Sequence, residues 1–176
     1  KKSVRCFSNA VWKSAKYLDK NSYVSIKEIN NIYNKEDYIF WYMIGRYTGD
    51  GWYRETKRQG RKNSYIYQFI ICCGYNEFNH LKFKFDSWGY NYNFSKERTV
   101  FKFRICSMSL VNFVKCIGTD SSNKVVHPNL FNESLENKKA FLDGLWDSDG
   151  SYRKKQKIYR LTTTSYLLSL GVQQIV

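Results

Sequence analysis

"WYMIGRYTGDGW", residues 41 to 52, and "FLDGLWDSDGSY", residues 141 to 152, are two versions of one pattern. Aligned on their acidic residues, they share an apolar residue, any residue, a glycine, four further residues, then Asp-Gly. Gly45 and Gly144 occupy the same place in each copy. A glycine inside a helix costs up to about 1 kcal/mol against alanine, so a pair in register asks for a reason. Close approach of two helix backbones supplies one. If the helices pack face to face at Gly45 and Gly144, their C-terminal ends bring Asp50 and Asp149 side by side. Two carboxylates there repel each other and the helix dipole, and only a cation makes the arrangement sensible. Mg2+ or Mn2+ is the expected cofactor, because a hard divalent ion takes one or two carboxylates together with phosphate oxygens and water. Phosphodiester hydrolysis uses this grouping.

Working outward, the apolar run that ends at Asp50 opens with Glu36 and Asp37, residues suited to a helix N-terminus. Beyond Gly51, "WYRETK" and "SYIYQFIICC" read as a strand pair joined by the polar "RQGRKN". Phe78, Leu81, Phe85 and Trp88 recur at helical spacing before Gly89. "YNYNF" and "TVFKFRICS" form a second pair, and "SMSLVNFVKCIG" a helix started by Ser107 and closed by Gly118. The order is αββαββα over 36–118. "TDSSNKVVHPN", with Pro128, reads as a linker over 119–131.

A second unit then begins at 132, with Asn132 or Ser134 as the helix cap. "SDGSYR" answers "GDGWYR", so duplication is expected. "KKQKIYRLTTT" reads as a hairpin and "SYLLSLGVQQIV" as a helix, which leaves this copy over 132–176 short of a second strand pair and closing helix. The expected fold class is α+β, an αββαββα unit followed by a truncated copy. A complementary polypeptide fragment supplying the remainder is an expected partner.

Composition narrows the partner. The 176 residues carry 29 Lys and Arg against 15 Asp and Glu, net +14, with 43% hydrophobic and 18% aromatic content. That is enough apolar material for one sizeable core or two small ones, and the charge points to a polyanion, with double-stranded DNA the leading candidate. No apolar run is long enough to span a bilayer, and no basic amphipathic helix suggests a membrane surface. The cysteines, Cys6, Cys72, Cys73, Cys106 and Cys116, sit mostly in apolar segments without metal or disulfide spacing. An intracellular setting is expected, cytoplasmic or nucleoid-associated, with a phage among the sources considered. His80 and His127 form no ligand cluster, so no zinc role is assigned.

The pair "MIGRYTGDG" and "LDGLWDSDG" resembles the two signature helices of the LAGLIDADG homing endonucleases. The order of elements and the spacing of the copies resemble that family too, from residue 36 to the end. The resemblance implies a site-specific, metal-dependent double-strand DNA endonuclease with a saddle of antiparallel strands in the major groove. Asp50 and Asp149 inherit the metal-ligand and catalytic roles, with Gly49 and Ser148 beside them at the metal. "SNKVVHPNL" resembles the linker of intein-borne members, which makes Lys124 a catalytic candidate near the scissile phosphate. The other reading of Lys124, a solvated linker lysine, stays open. Residues 1–35, with "WKSAKYLDKNSYVSI", resemble the exit from an intein splicing domain. A maturase-like DNA- or RNA-binding protein on this fold, and a fragment of a split intein endonuclease, are the alternative functions.

The expected DNA surface is basic. The first unit offers Arg54, Lys57, Arg58, Arg61, Lys62, Lys96, Arg98 and Lys102, and the second Arg153, Lys154, Lys155, Lys157 and Arg160. Alternation places half of the strand residues on one face of a ribbon that fits the major groove, while residues at hairpin tips hold phosphates.

Overall fold

The computed structural model describes residues 35–59 and 64–176. The expected N-terminal helix and strand lie outside the described residues, as do Arg61 and Lys62. The elements run α1 (Lys35–Asp50), β1 (Gly51–Lys57), β2 (Tyr65–Gly74), α2 (Phe78–Trp88), β3 (Tyr92–Glu97), β4 (Val100–Cys106) and α3 (Met108–Val114). Then come α4 (Leu135–Asp149), β5 (Gly150–Arg153), β6 (Ile158–Leu161) and α5 (Tyr166–Ile175). The αββαββα order of the first unit is the expected one, and the second begins in the same way.

α1 is apolar on nearly every side, and such a helix belongs in a core. Trp41, Tyr42, Met43, Ile44 and Tyr47 are all buried. α4 packs along it, burying Ala140, Phe141 and Leu145. Local chemistry sets the other helix ends. Ser107, Ser134 and Ser165 each accept the amide of the residue three ahead, at 3.2 Å, and so cap α3, α4 and α5. Ser134, rather than Asn132, is therefore the α4 cap. Gly89 closes α2 in the left-handed conformation, φ +79°, that a side chain disfavours.

The four-stranded antiparallel sheet has the order β1-β2-β4-β3. Its register places Tyr53 opposite Phe69, and Phe69 opposite Ile105. Residues on this face point at the helices: Phe69, Ile71, Cys73, Phe103 and Ile105 are buried there. Phe85 of α2 stacks on Phe103 with centroids 4.7 Å apart. The opposite face carries Trp52, Arg54, Gln68, Cys72, Lys102 and Arg104 in paired rows. Cys72 and Cys73 do face opposite ways, as alternation requires.

β5 and β6 pair antiparallel, with Ser151 opposite Arg160. The strand before the turn is Gly150–Arg153, earlier than the run of lysines suggests, so Lys154, Lys155 and Lys157 sit at the hairpin tip. Lys157 adopts φ +52° to make that turn. The stretch 119–131 is no free tether. Lys124, Val126, His127 and Leu130 are buried in it, and the His127 ring stacks on Phe113 at 3.9 Å. That stack, with a hydrogen bond between Nε2 and the Phe113 carbonyl at 3.1 Å, makes His127 a packed residue.

Candidate active site

The two signature helices meet at their glycines. A Cβ on Gly45 would collide with the Phe141 carbonyl oxygen and come within 2.9 Å of the Leu145 nitrogen. One on Gly144 would collide with the Tyr42 carbonyl oxygen and stand 3.0 Å from the Arg46 nitrogen. Each glycine thus lies on the backbone of the other helix. A further close contact at the C-terminal ends brings Gly49 against the Ser148 side chain, with a Cβ there 3.3 Å from Asp149 Oδ2.

The helices end together at Asp50 and Asp149, neither with a basic residue in its last turn. Burial pushes the Asp50 carboxyl above the usual range; Arg46 pulls it back, and Asp149 and Glu77 push it further up. Burial likewise raises Asp149, against the pull of Lys124 and Arg46. Each aspartate therefore feels the same two cations, and Asp50 also feels Asp149, as the paired helix ends require.

Lys124 is 4% exposed, which removes the reading of a solvated linker lysine. Its Nζ donates to the carbonyls of Gly49 at 2.6 Å and Tyr47 at 3.2 Å, at the C-terminal turn of α1. Burial pushes its pKa down, while Asp149 and Asp50 hold it up. Ser165 Oγ donates to the Lys124 carbonyl at 2.6 Å and so ties the start of α5 to this strut.

Arg46 approaches from a different direction and was not among the expected site residues. It is 2% exposed, donates through Nη1 to the Asp147 carbonyl, and bonds Glu77 Oε2 through Nη2 at 3.0 Å. The same nitrogen stands 3.7 Å from Asp50 Oδ2. A charged residue in the middle of an apolar stretch was the available signal. Beside it Tyr42 donates to Asp147 Oδ2 at 2.6 Å, and His80 Nε2 lies 3.2 Å from the same oxygen. Arg46, Glu77, His80, Trp146 and Asp147 line an open cavity of about 390 Å³.

The donor set suits a hard divalent ion: two carboxylates whose mutual charge burial disfavours, at the end of the helix pair. Asp50 keeps 35% of its side chain exposed, an approach for phosphate and water. The remaining expected neighbours are engaged. The Gly49 carbonyl accepts Lys124, and Ser148 Oγ donates back to the Leu145 carbonyl at 2.8 Å. Among the described residues no three His, Cys, Asp or Glu side chains gather into a metal cage.

The basic residues divide between the two faces of the sheet. Arg54 and Lys102 stand on the face away from the helices, with Arg104, which the sequence reading passed over although alternation pairs it with Lys102. Lys102 is already bonded to Glu97 and lies 5.5 Å from the centroid of the Trp52 ring; Arg104 bonds Ser95 Oγ and Glu97. Lys57 and Lys96 fall on the helix-side register, Lys96 lying over the Tyr75 ring. Arg58 and Arg98 sit at turns, Arg98 with φ +48°. In the second hairpin Arg153 and Arg160 are on strands, both exposed. No described helix is long and apolar enough to cross a membrane.

Residues 136–176 match the family described as LAGLIDADG-like domain. The homing endonuclease I-DmoI, in structures of its mesophilic variants, matches with TM-score 0.61 at 19% identity, over 81% of this chain and 76% of that one. I-DmoI in complex with DNA and Mn matches with TM-score 0.60 at 19% identity, over 80% and 77%. Among curated proteins, the DNA-directed RNA polymerase subunit Rpo1C of Methanocaldococcus jannaschii is 28% identical over 149 residues, 81% of this chain. The chain spans 16% of that subunit's length. Paired helices in contact through Gly45 and Gly144, an antiparallel sheet in the order β1-β2-β4-β3 and these matches agree: the chain carries the LAGLIDADG fold.

Proposed function

We propose that the chain is a site-specific DNA endonuclease that hydrolyses phosphodiester bonds with Mg2+ or Mn2+. The observation that carries this reading is the pair of aspartates, Asp50 and Asp149, held together at the ends of helices in backbone contact, with two buried cations around them. Structures of I-DmoI contain target DNA with Mn, Ca or Mg, which supports the same partners here. Net charge +14 supports a polyanionic substrate.

Asp50 and Asp149 would hold the ion, which supplies positive charge against the phosphoryl oxygens of the scissile bond. Lys124 spends two N–H donors on the carbonyls of Tyr47 and Gly49 and has a third for a phosphate oxygen, where it would stabilise developing charge. Held by main chain, it keeps its position as the charge builds. Arg54, Lys102 and Arg104 would meet DNA on the open face of the sheet, and Arg58, Arg98, Lys154, Lys155 and Lys157 would hold phosphates at the turns. The units flanking the helix pair would be 36–118 and 132–176, each on one half-site. The match to a stretch amounting to 16% of a much longer polymerase subunit fits an endonuclease carried inside a host polypeptide, as in an intein.

The test is incubation with a randomised-target plasmid library in Mg2+, with and without EDTA. Recurrent linearisation at one sequence, abolished by EDTA, is the expected result. Tight binding of structured intron RNA with no cutting of any plasmid would replace the endonuclease by the maturase-like alternative.

A further inference from the structure

We propose that Glu77 is a positioning residue which, by holding Arg46, keeps the Asp50 carboxylate available to a divalent cation; this rests on the metal-dependent reading above. Arg46 sits on α1 one helical turn before Asp50, the spacing at which two side chains meet. Its fork is split. Nη1 goes to the Asp147 carbonyl on α4, and Nη2 lies between two carboxylates, 3.0 Å from Glu77 and 3.7 Å from Asp50. The nearer partner is therefore the one outside the metal pair.

Glu77 belongs to the turn Tyr75–Glu77 that leads from β2 into α2, and its side chain is 45% exposed. It fills no core space, and the open cavity beside it also receives Arg46, His80 and Asp147. A carboxylate in that position has little to do for packing. It does set where the guanidinium rests. Arg46 is buried, its Nε has no hydrogen-bond partner among the described residues, and Nη1 is tied to α4. Only Nη2 has a choice of partner. With Glu77 neutralised, the charge-assisted bond to it weakens, and Asp50 becomes the stronger acceptor for that nitrogen. Closing from 3.7 Å to a direct hydrogen bond would occupy the oxygen that the metal needs.

The test is a titration of the full chain with Mn2+ in the presence of a random-sequence DNA duplex, free Mn2+ being read by electron paramagnetic resonance. This requires neither the target sequence nor cleavage. Glu77→Gln is expected to weaken Mn2+ binding about tenfold, the size given by that closure at an effective dielectric of about 20. The double variant Arg46→Met/Glu77→Gln removes the competitor and should return to within about threefold of the parental affinity, a non-additive outcome that marks direct coupling. A Glu77 that serves only local structure would lower thermal stability and leave Mn2+ binding unmoved. Parental affinity in a folded Glu77→Gln protein overturns the proposal, whatever becomes of the double variant. A parental chain that takes up no Mn2+ would overturn the metal assignment of Asp50 and Asp149 and this proposal with it, so the two failures are told apart by the parental titration.

Discussion

Replacing Gly144 by alanine adds one methyl group at the centre of the helix pair, and its effect can be worked out. The added Cβ would stand 2.9 Å from the Tyr42 carbonyl carbon and 3.0 Å from the Arg46 nitrogen, and would overlap the Tyr42 oxygen. Comfortable separation is about 3.5–4.0 Å, so α1 and α4 must part by about 0.5–1 Å. The atoms in the way are main chain, which no rotamer change can move. Overpacking of this kind costs about 1–3 kcal/mol, and alanine returns up to about 1 kcal/mol in helix propensity. The net loss is about 1–2 kcal/mol, which lowers Tm by about 2–8 °C for a chain of this size. The same displacement separates the two helix ends, so cleavage should fall by more than the folded fraction does. Gly74→Ala serves as the control. A Cβ there meets nothing within 4 Å, and Gly74 has an ordinary extended conformation, φ −72°. That variant should match the parent or gain about 0.4–1 kcal/mol. Calorimetry and single-turnover cleavage on the three proteins decide the matter. A Gly144→Ala protein that melts with the parent would refute backbone contact between the helices.

Other consequences follow from the charges. Asp50 and Asp149 have folded pKa values raised by burial, so in the metal-free protein their contribution is most favourable at acid pH and is lost as pH rises from the unfolded carboxylate range through the raised folded values. Asp149→Asn should flatten that decline in chelator, and Mg2+ should then raise Tm less than in the parent; equal pH profiles in urea melts would contradict it. Lys124→Met should stay folded yet cut at least about 100-fold more slowly, because it removes a preorganised donor from the scissile phosphate. Undiminished single-turnover cleavage would show the lysine to be structural. Arg54→Ala should lower the salt slope of DNA binding in Ca2+ by about one, with little change in the metal requirement. An unchanged slope would take Arg54 off the DNA surface.

Much of the architecture was legible because the signals were local. Phe78, Leu81, Phe85 and Trp88 mark one helix face by spacing alone, and three of them are buried as that spacing requires. Gly45 and Gly144 were readable as contact points because a glycine in mid-helix needs a reason, and the reason is the opposing backbone. Other residues were hidden by distance along the chain. Arg46 owes its burial to Glu77 and Asp147, 31 and 101 positions away, and nothing in its own neighbourhood announces them. Lys124 sits in a polar stretch that composition assigns to solvent. It is buried because that stretch returns to the C-terminal turn of α1, 75 positions away in sequence from the carbonyl it caps. Lys102 was visible as a basic residue on a strand, whereas its engagement with Glu97 and its approach to Trp52 depend on the register of neighbouring strands.

The most direct test of the aspartate pair is cleavage by Asp50→Asn and Asp149→Asn beside the parent, on a plasmid carrying a site recovered from the library. Each substitution removes one ligand charge and leaves the basic surface intact. The account predicts linear product from the parent in Mg2+, none from either variant, and equal retardation of the DNA by all three in Ca2+. A variant that cuts at the parental rate would contradict it.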